Sequence, residues 1–219
     1  GTDLGYDLNL SLEEAYSGLE KNIKYTTYNK CSDCSGSGAA KGSKPISCNY
    51  CGGKGKVRTN QGFFTVQQTC PQCSGYGETI SKPCNYCSGN GKVQSNENVT
   101  VKIPKGVDDG TRIRVSNKGE AGTKGGSNGD LYLFISIDNH SIFKRSEENI
   151  YYELPITFSD AALGTTVEVP SIDGGKSKIK IPPGTQHGKQ LRLKGKGMPL
   201  LRKNIFGDLY IRIITEVPV

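Results

Sequence analysis

Eight cysteines lie within one stretch, Cys31 to Gly91, as four Cys-x-x-Cys pairs: Cys31/Cys34, Cys48/Cys51, Cys70/Cys73 and Cys84/Cys87. Each pair carries the same tail, C-x-x-C-x-G-x-G, seen as CSDCSGSG, CNYCGGKG, CPQCSGYG and CNYCSGNG. A Cys-x-x-Cys turn aims two thiolates at one metal, and two such turns complete a tetrahedral four-sulfur zinc site. The glycines supply positive φ and let the backbone turn tightly beside the sulfurs. Four pairs with a shared tail predict two zinc ions, each held by four cysteines.

The pairs can combine sequentially, interleaved or nested. Eighteen residues separate Cys51 from Cys70, within the zinc-ribbon range, whereas the other two gaps are thirteen and ten. The middle pairs, Cys48, Cys51, Cys70 and Cys73, are therefore assigned one ion. The outer pairs, Cys31, Cys34, Cys84 and Cys87, take the other, which also draws the two ends of the module together. Four disulfides would use the same eight residues. Cys-x-x-Cys disulfides close very small loops, however, and the other hydrophobic segments need no staples. Thiol–disulfide exchange is a further cysteine chemistry, because such motifs can lower thiol pKa values. A zinc-bound thiolate is a poorer redox agent than a free one.

The rest of the chain must hold this module. Its 219 residues suffice for one or two domains with cores. With 29 glycines, 10 prolines and no tryptophan, it reads as turn-rich and more β than α. No apolar run reaches membrane-spanning length and no signal peptide is visible. The formal charge of +7 falls to about +3 once eight thiolates and two zinc ions are counted. Within 31–91, six basic and two acidic side chains give +4, which the same correction cancels. A metallated module is thus not a basic patch, which argues against a nucleic-acid-binding zinc ribbon.

Residues 6–10 alternate as a strand, and Ser11-Leu12-Glu13-Glu14 reads as a capping box for a short helix ending at Gly18. Residues 21–28 alternate again, and short strands are predicted near 98–103, 111–115 and 130–138. Residues 92–98 and 139–150 are polar and read as connections, and 121–129 as a flexible loop. That loop lacks the Gly-Lys-Ser/Thr ending of a phosphate-binding loop, which excludes that nucleotide motif.

The chain repeats itself. Lys102-Ile103-Pro104-Lys105-Gly106 matches Lys180-Ile181-Pro182-Pro183-Gly184, and Gly129-Asp130-Leu131-Tyr132 matches Gly207-Asp208-Leu209-Tyr210, both at an offset of 78. Leu10-Ser11-Leu12 through Gly18 parallels Ile156-Thr157-Phe158 through Gly164 at 146. The first copy therefore carries 68 extra residues, of which the cysteine segment accounts for 61. The fold class expected is mainly β: two tandem homologous small β-sandwich domains with a two-zinc module inserted in the first. The boundaries are 1–30 with 92–141, 31–91, and 142–219. His140, His187, Asp130 and Asp208 sit in turn-like contexts without catalytic spacing, and no nucleophile–base constellation appears.

The four cysteine repeats, GFFTVQQTCPQC from Gly62, VKIPKGVDDGTRIRV and GDLYLFISI closely resemble bacterial members of the DnaJ family, zinc-containing J-domain co-chaperones. The resemblance covers essentially the whole chain. It implies a cytoplasmic co-chaperone without enzymatic chemistry that binds unfolded polypeptides and passes them to the DnaK ATPase. It also implies the nested zinc pairing, with the outer site supporting substrate holding and the inner site engaging DnaK. Matching by motif, a shallow apolar client pocket falls to Leu4, Ile23, Tyr25, Val99 and Phe143, Tyr25 standing where an aliphatic residue is common. The J domain, its His-Pro-Asp motif and the Gly/Phe linker have no counterpart here. The chain therefore reads as a substrate-binding fragment, expected to be monomeric and not to stimulate DnaK by itself, of a full-length homodimer.

Overall fold

The computed structural model describes residues 1–217. The strands and helices are β1 (Leu4–Leu10), α1 (Leu12–Ser17), β2 (Leu19–Lys30), β3 (Ile46–Ser47), β4 (Lys56–Gln61), β5 (Phe64–Thr69) and β6 (Glu78–Thr79). There follow β7 (Lys92–Ile103), β8 (Arg112–Val115), β9 (Leu131–Ile137), β10 (Phe143–Ser146), β11 (Asn149–Thr157), α2 (Phe158–Leu163), β12 (Thr165–Pro170), β13 (Lys176–Ile181), β14 (Gln190–Leu193) and β15 (Leu209–Glu216). The protein is mainly β, as expected. It divides into two compact units. One comprises Gly1–Leu4, Lys24–Asn98 and Arg114–Tyr132; the other comprises Gly5–Ile23, Val99–Ile113 and the chain from Leu133 onward.

The internal repeat reappears as repeated topology. β11 runs parallel to β15 from Ile150↔Leu209 to Thr157↔Glu216, with β10 and β14 outside them. In the first copy, β1 and β9 lie adjacent. Leu4 N–H donates to Asp130 O and Asp138 N–H to Leu10 O, both at 2.8 Å, so this pair also runs parallel. β12 and β13 form an antiparallel ribbon, and β2 and β7 are its counterpart.

The helices start where local chemistry directs. The Ser11 hydroxyl accepts from the Glu14 amide (3.1 Å) while the Glu14 carboxylate accepts from the Ser11 amide (2.9 Å), the expected capping box. Gly18, at φ 68°, ends the helix. Thr157 caps α2 in the same way, accepting from the Asp160 amide at 3.1 Å. Alternation then sorts the strands: Leu209, Ile211 and Ile213 are enclosed while Arg212 between them is exposed.

Two polar segments read as connections are strands instead. Residues 92–98 belong to β7, because their polar side chains pair across the ribbon. Thr26 donates to Asn96 (2.9 Å), and Asn29 donates to Ser95 (2.8 Å) and Glu97 (2.5 Å). A ribbon with solvated faces needs no apolar alternation, so its sequence resembles a linker. Within 139–150, Phe143–Ser146 form β10 and Asn149 opens β11, the hairpin turning at Glu147 (φ 54°) and closed by Ser146↔Asn149. Segment 121–129 contains one 3-10 turn, Thr123–Gly125.

Candidate metal centres

Each cysteine pair occupies a knuckle built by its own tail. The residue after the second cysteine takes a left-handed conformation: Ser35, Gly52, Ser74 and Ser88 have φ of 53°, 59°, 49° and 52°. This turn carries the final glycine of each repeat under the second sulfur. Gly38, Gly55, Gly77 and Gly91 donate their amides to Cys34, Cys51, Cys73 and Cys87 Sγ at 3.2–3.3 Å. An amide aimed at a sulfur favours its thiolate form.

The knuckles then join in reciprocal pairs. Cys31 N–H donates to Gly91 O (2.9 Å) and Cys84 N–H to Gly38 O (2.8 Å), joining the outer pairs. Cys48 N–H donates to Gly77 O (2.8 Å) and Cys70 N–H to Gly55 O (2.9 Å), joining the inner pairs. The sulfurs of Cys31, Cys34, Cys84 and Cys87 gather in one set within 4.8 Å, and those of Cys48, Cys51, Cys70 and Cys73 in another. The nested grouping is what the structure forms. All but Cys34 are buried, with Val93 against the outer set and Val57 against the inner.

The spacing suits a metal. Closest sulfurs across the outer set are 4.0 Å (Cys31–Cys84) and 3.7 Å (Cys34–Cys87); across the inner set, 3.9 Å (Cys48–Cys70) and 3.7 Å (Cys51–Cys73). A tetrahedral ion about 2.3 Å from each sulfur needs them about 3.8 Å apart. The cysteines are free thiols, so the disulfide scaffold is not what this fold builds. Without metal the clustered thiols titrate unequally. Burial disfavours the Cys34 and Cys73 thiolates, but the Gly38 and Gly77 amides and neighbouring thiols outweigh it and hold both at about 7. Burial, then neighbouring sulfurs, pushes Cys70 and Cys87 up to about 11. A dication removes this mutual penalty, so four closely held sulfurs are a strong cation site. With four cysteine ligands, a metal held in either centre would have no open position for a reacting water.

The apolar residues singled out by resemblance occupy different environments. Leu4 opens β1, Tyr25 lies in β2 and Val99 in β7; all three are half-buried. Ile23 is 1% exposed and Phe143 5%, so both are enclosed in this conformation. Phe143 sits 5.0 Å from the His140 ring and 5.8 Å from Tyr152. It also borders a cleft of about 530 Å³ shared with Leu12, Ile137 and His140.

Some roles were not visible in the residue pattern. His140, placed by the sequence in a turn without partners at catalytic spacing, is held on both sides: Nδ1 accepts from the Ile142 (3.1 Å) and Phe143 (3.2 Å) amides, and Nε2 lies 2.6 Å from Glu13. Its partner on α1 is 127 residues away, beyond the reach of local pattern reading. Arg145 donates to Val107 O (2.6 Å) and Gly106 O (3.3 Å), again across a long separation. The cysteine-binding amides could have been found, because the glycine sits at a fixed place in all four repeats.

A mainly β protein with two four-cysteine centres, one nested within the other in sequence, is the class this geometry defines. Comparison with known families narrows it: the DnaJ C-terminal domain model matches residues 4–218. The chain is 61% identical over 219 residues to a chaperone protein DnaJ of Pelagibacter ubique, covering all of this chain and 58% of that protein. Chaperone protein DnaJ of Xanthobacter autotrophicus is 52% identical, and that of Mesorhizobium japonicum 50%, over 218 residues, with the same shares covered. The chain belongs to the DnaJ family, and it spans about 58% of the length of these relatives.

Proposed function

We propose that this chain is the polypeptide-binding part of a co-chaperone that holds unfolded proteins, limits their aggregation and delivers them to a DnaK-type ATPase in the cytoplasm. The observation that carries this reading is family membership across the whole chain, joined to two closed four-sulfur centres. The metal is zinc: four thiolates in tetrahedral spacing are the ligand set of structural zinc. Both ions are structural and no bond is made or broken in a client, so the protein is not an enzyme.

The division at 1–30 with 92–141, 31–91 and 142–219 assigns client capture to the first β domain. Of the residues proposed for it, Leu4, Tyr25 and Val99 are half-buried, whereas Ile23 and Phe143 are enclosed in this conformation. Unfolded clients expose Leu, Ile and Phe, and shallow apolar contact binds them broadly and reversibly. No helix among the described residues is long and apolar enough to cross a membrane.

Light scattering of a denatured, aggregating model protein tests the reading. The zinc-loaded chain should suppress aggregation at near-stoichiometric ratios, and the chelated chain should lose much of that effect. Equal aggregation with and without the zinc-loaded chain would overturn it.

A further inference from the structure

The hairpin of β4 and β5 is left bare in a way a folded chain normally avoids. The two strands pair only with each other, from Lys56↔Thr69 to Gln61↔Phe64, across a turn with Gly62 at φ 64°. Every residue of β5 is exposed. Phe63 at the tip is fully exposed, Phe64 77% and Val66 39%. An isolated two-stranded hairpin is marginal in water, and open strand edges template further strands.

Register sorts the two faces. Val66 lies opposite Thr59 and Gln68 opposite Val57, so Val57, Thr59, Phe64 and Val66 share one face. Arg58 lies opposite Gln67 on the other, with Lys56 two residues away. Residues 56–69 contain no Asp or Glu. The edge can be read from one bond. Cys70 N–H donates to Gly55 O at 2.9 Å, and antiparallel ladders alternate bonded and non-bonded pairs. The peptide groups of Thr65 and Gln67 therefore point away from β4, unpaired by the ladder.

We propose that the β5 edge receives an extended client segment as a third strand. The segment would alternate apolar side chains, laid beside Phe64 and Val66, with polar side chains that include an acidic residue in reach of Arg58 and Lys56. Backbone hydrogen bonding makes the capture tolerant of sequence, and the alternation and charge give it preference. This inference rests on the polypeptide-binding reading above and adds to the first β domain a second point of client contact, in the cysteine module.

The probe is a fluorescent decapeptide alternating leucine with threonine, two threonines replaced by glutamate, titrated into the zinc-loaded chain. Phe64→Ser removes an apolar neighbour, and Gln67→Pro removes an outward N–H at an edge position where proline is tolerated. Both variants should keep two zinc ions and bind the peptide about tenfold more weakly. Bound peptide should slow amide exchange at Thr65 and Gln67 in the wild type. Unchanged affinity in both variants would overturn the proposal. So would weakening in Phe64→Ser alone without added protection at Thr65 and Gln67, because the hairpin would then be only an apolar patch. A permanently unfolded polypeptide titrated in parallel separates the two readings. If neither ligand binds, the polypeptide-binding reading fails as well; if only the unfolded polypeptide binds, the hairpin assignment alone fails.

Discussion

Gly91 faces the backbone of Gly36 so closely that a β-carbon on Gly91 would stand 2.5 Å from the Gly36 carbonyl oxygen. The relation is reciprocal: a β-carbon on Gly38 would stand 2.2 Å from Gly89 O. The inner knuckles repeat it, with Gly55 against Gly75 O at 2.3 Å and Gly77 against Gly53 O at 2.4 Å. The final glycine of each repeat thus serves three needs at once. It takes positive φ, donates to a sulfur and lets two knuckles close to metal-binding distance.

Gly91→Ala should therefore damage the outer centre selectively. The left-handed conformation alone costs an alanine roughly 1–2 kcal/mol, and the backbone contact adds to that. Zinc content should fall from two ions toward one, while Gly42→Ala, where the same positive φ meets open space, should keep both. Metal analysis of the purified variants reads the difference.

The two centres share no ligand, so they should fail separately. Cys84→Ser should lose the outer ion and Cys70→Ser the inner, each leaving about one zinc per chain. The double variant should hold none and lose order across 31–91, because few large apolar residues there can replace the metal. Loss of both ions from either single variant would contradict the grouping.

Metal affinity should fall with acid. Binding needs thiolates, so protons compete for the sulfurs as pH drops and the ion is released. A chromogenic chelator should take up zinc increasingly below neutrality. The Gly-to-sulfur amide bonds, which favour thiolate, predict earlier release from Gly91→Ala than from wild type.

A second pH effect lies outside the cysteine module. The Gly195 amide (2.9 Å) lowers the Asp208 pKa; burial opposes the shift, and Arg192 reinforces it, with Nε 2.6 Å from the carboxylate. A lowered pKa means stability present above the unfolded carboxylate value of about 3.9 and lost as pH falls through the folded one. Asp208→Asn should lower the melting temperature at pH 7, and the gap from wild type should close only as pH falls below the unfolded carboxylate value and through the lowered folded one. A constant gap would assign the effect to shape and not to charge.

Cysteine chemistry was readable because it is local. Four copies of an eight-residue motif state ligand, turn and glycine together, and the gap lengths gave the grouping. The duplication was equally readable, since offsets of 78 and 146 survive in the register of β11 with β15 and of β1 with β9. What stayed hidden depends on partners far along the chain. The polar half of β7 looked like a linker because Thr26 and Asn29, some 70 residues earlier, satisfy it. His140 looked free because nothing near it announces Glu13. Burial of Ile23 and Phe143 depends on packing by several elements, which motif matching does not see.

The central claim is that this chain holds unfolded polypeptides on its first β domain. Fluorescence anisotropy of a labelled, permanently unfolded polypeptide, titrated with the zinc-loaded chain and with Leu4→Ser and Val99→Ser variants, tests it most directly. The account predicts saturable binding, weakened several-fold by each substitution in variants that keep two zinc ions and the wild-type fold. Binding of equal strength in wild type and both variants would contradict it.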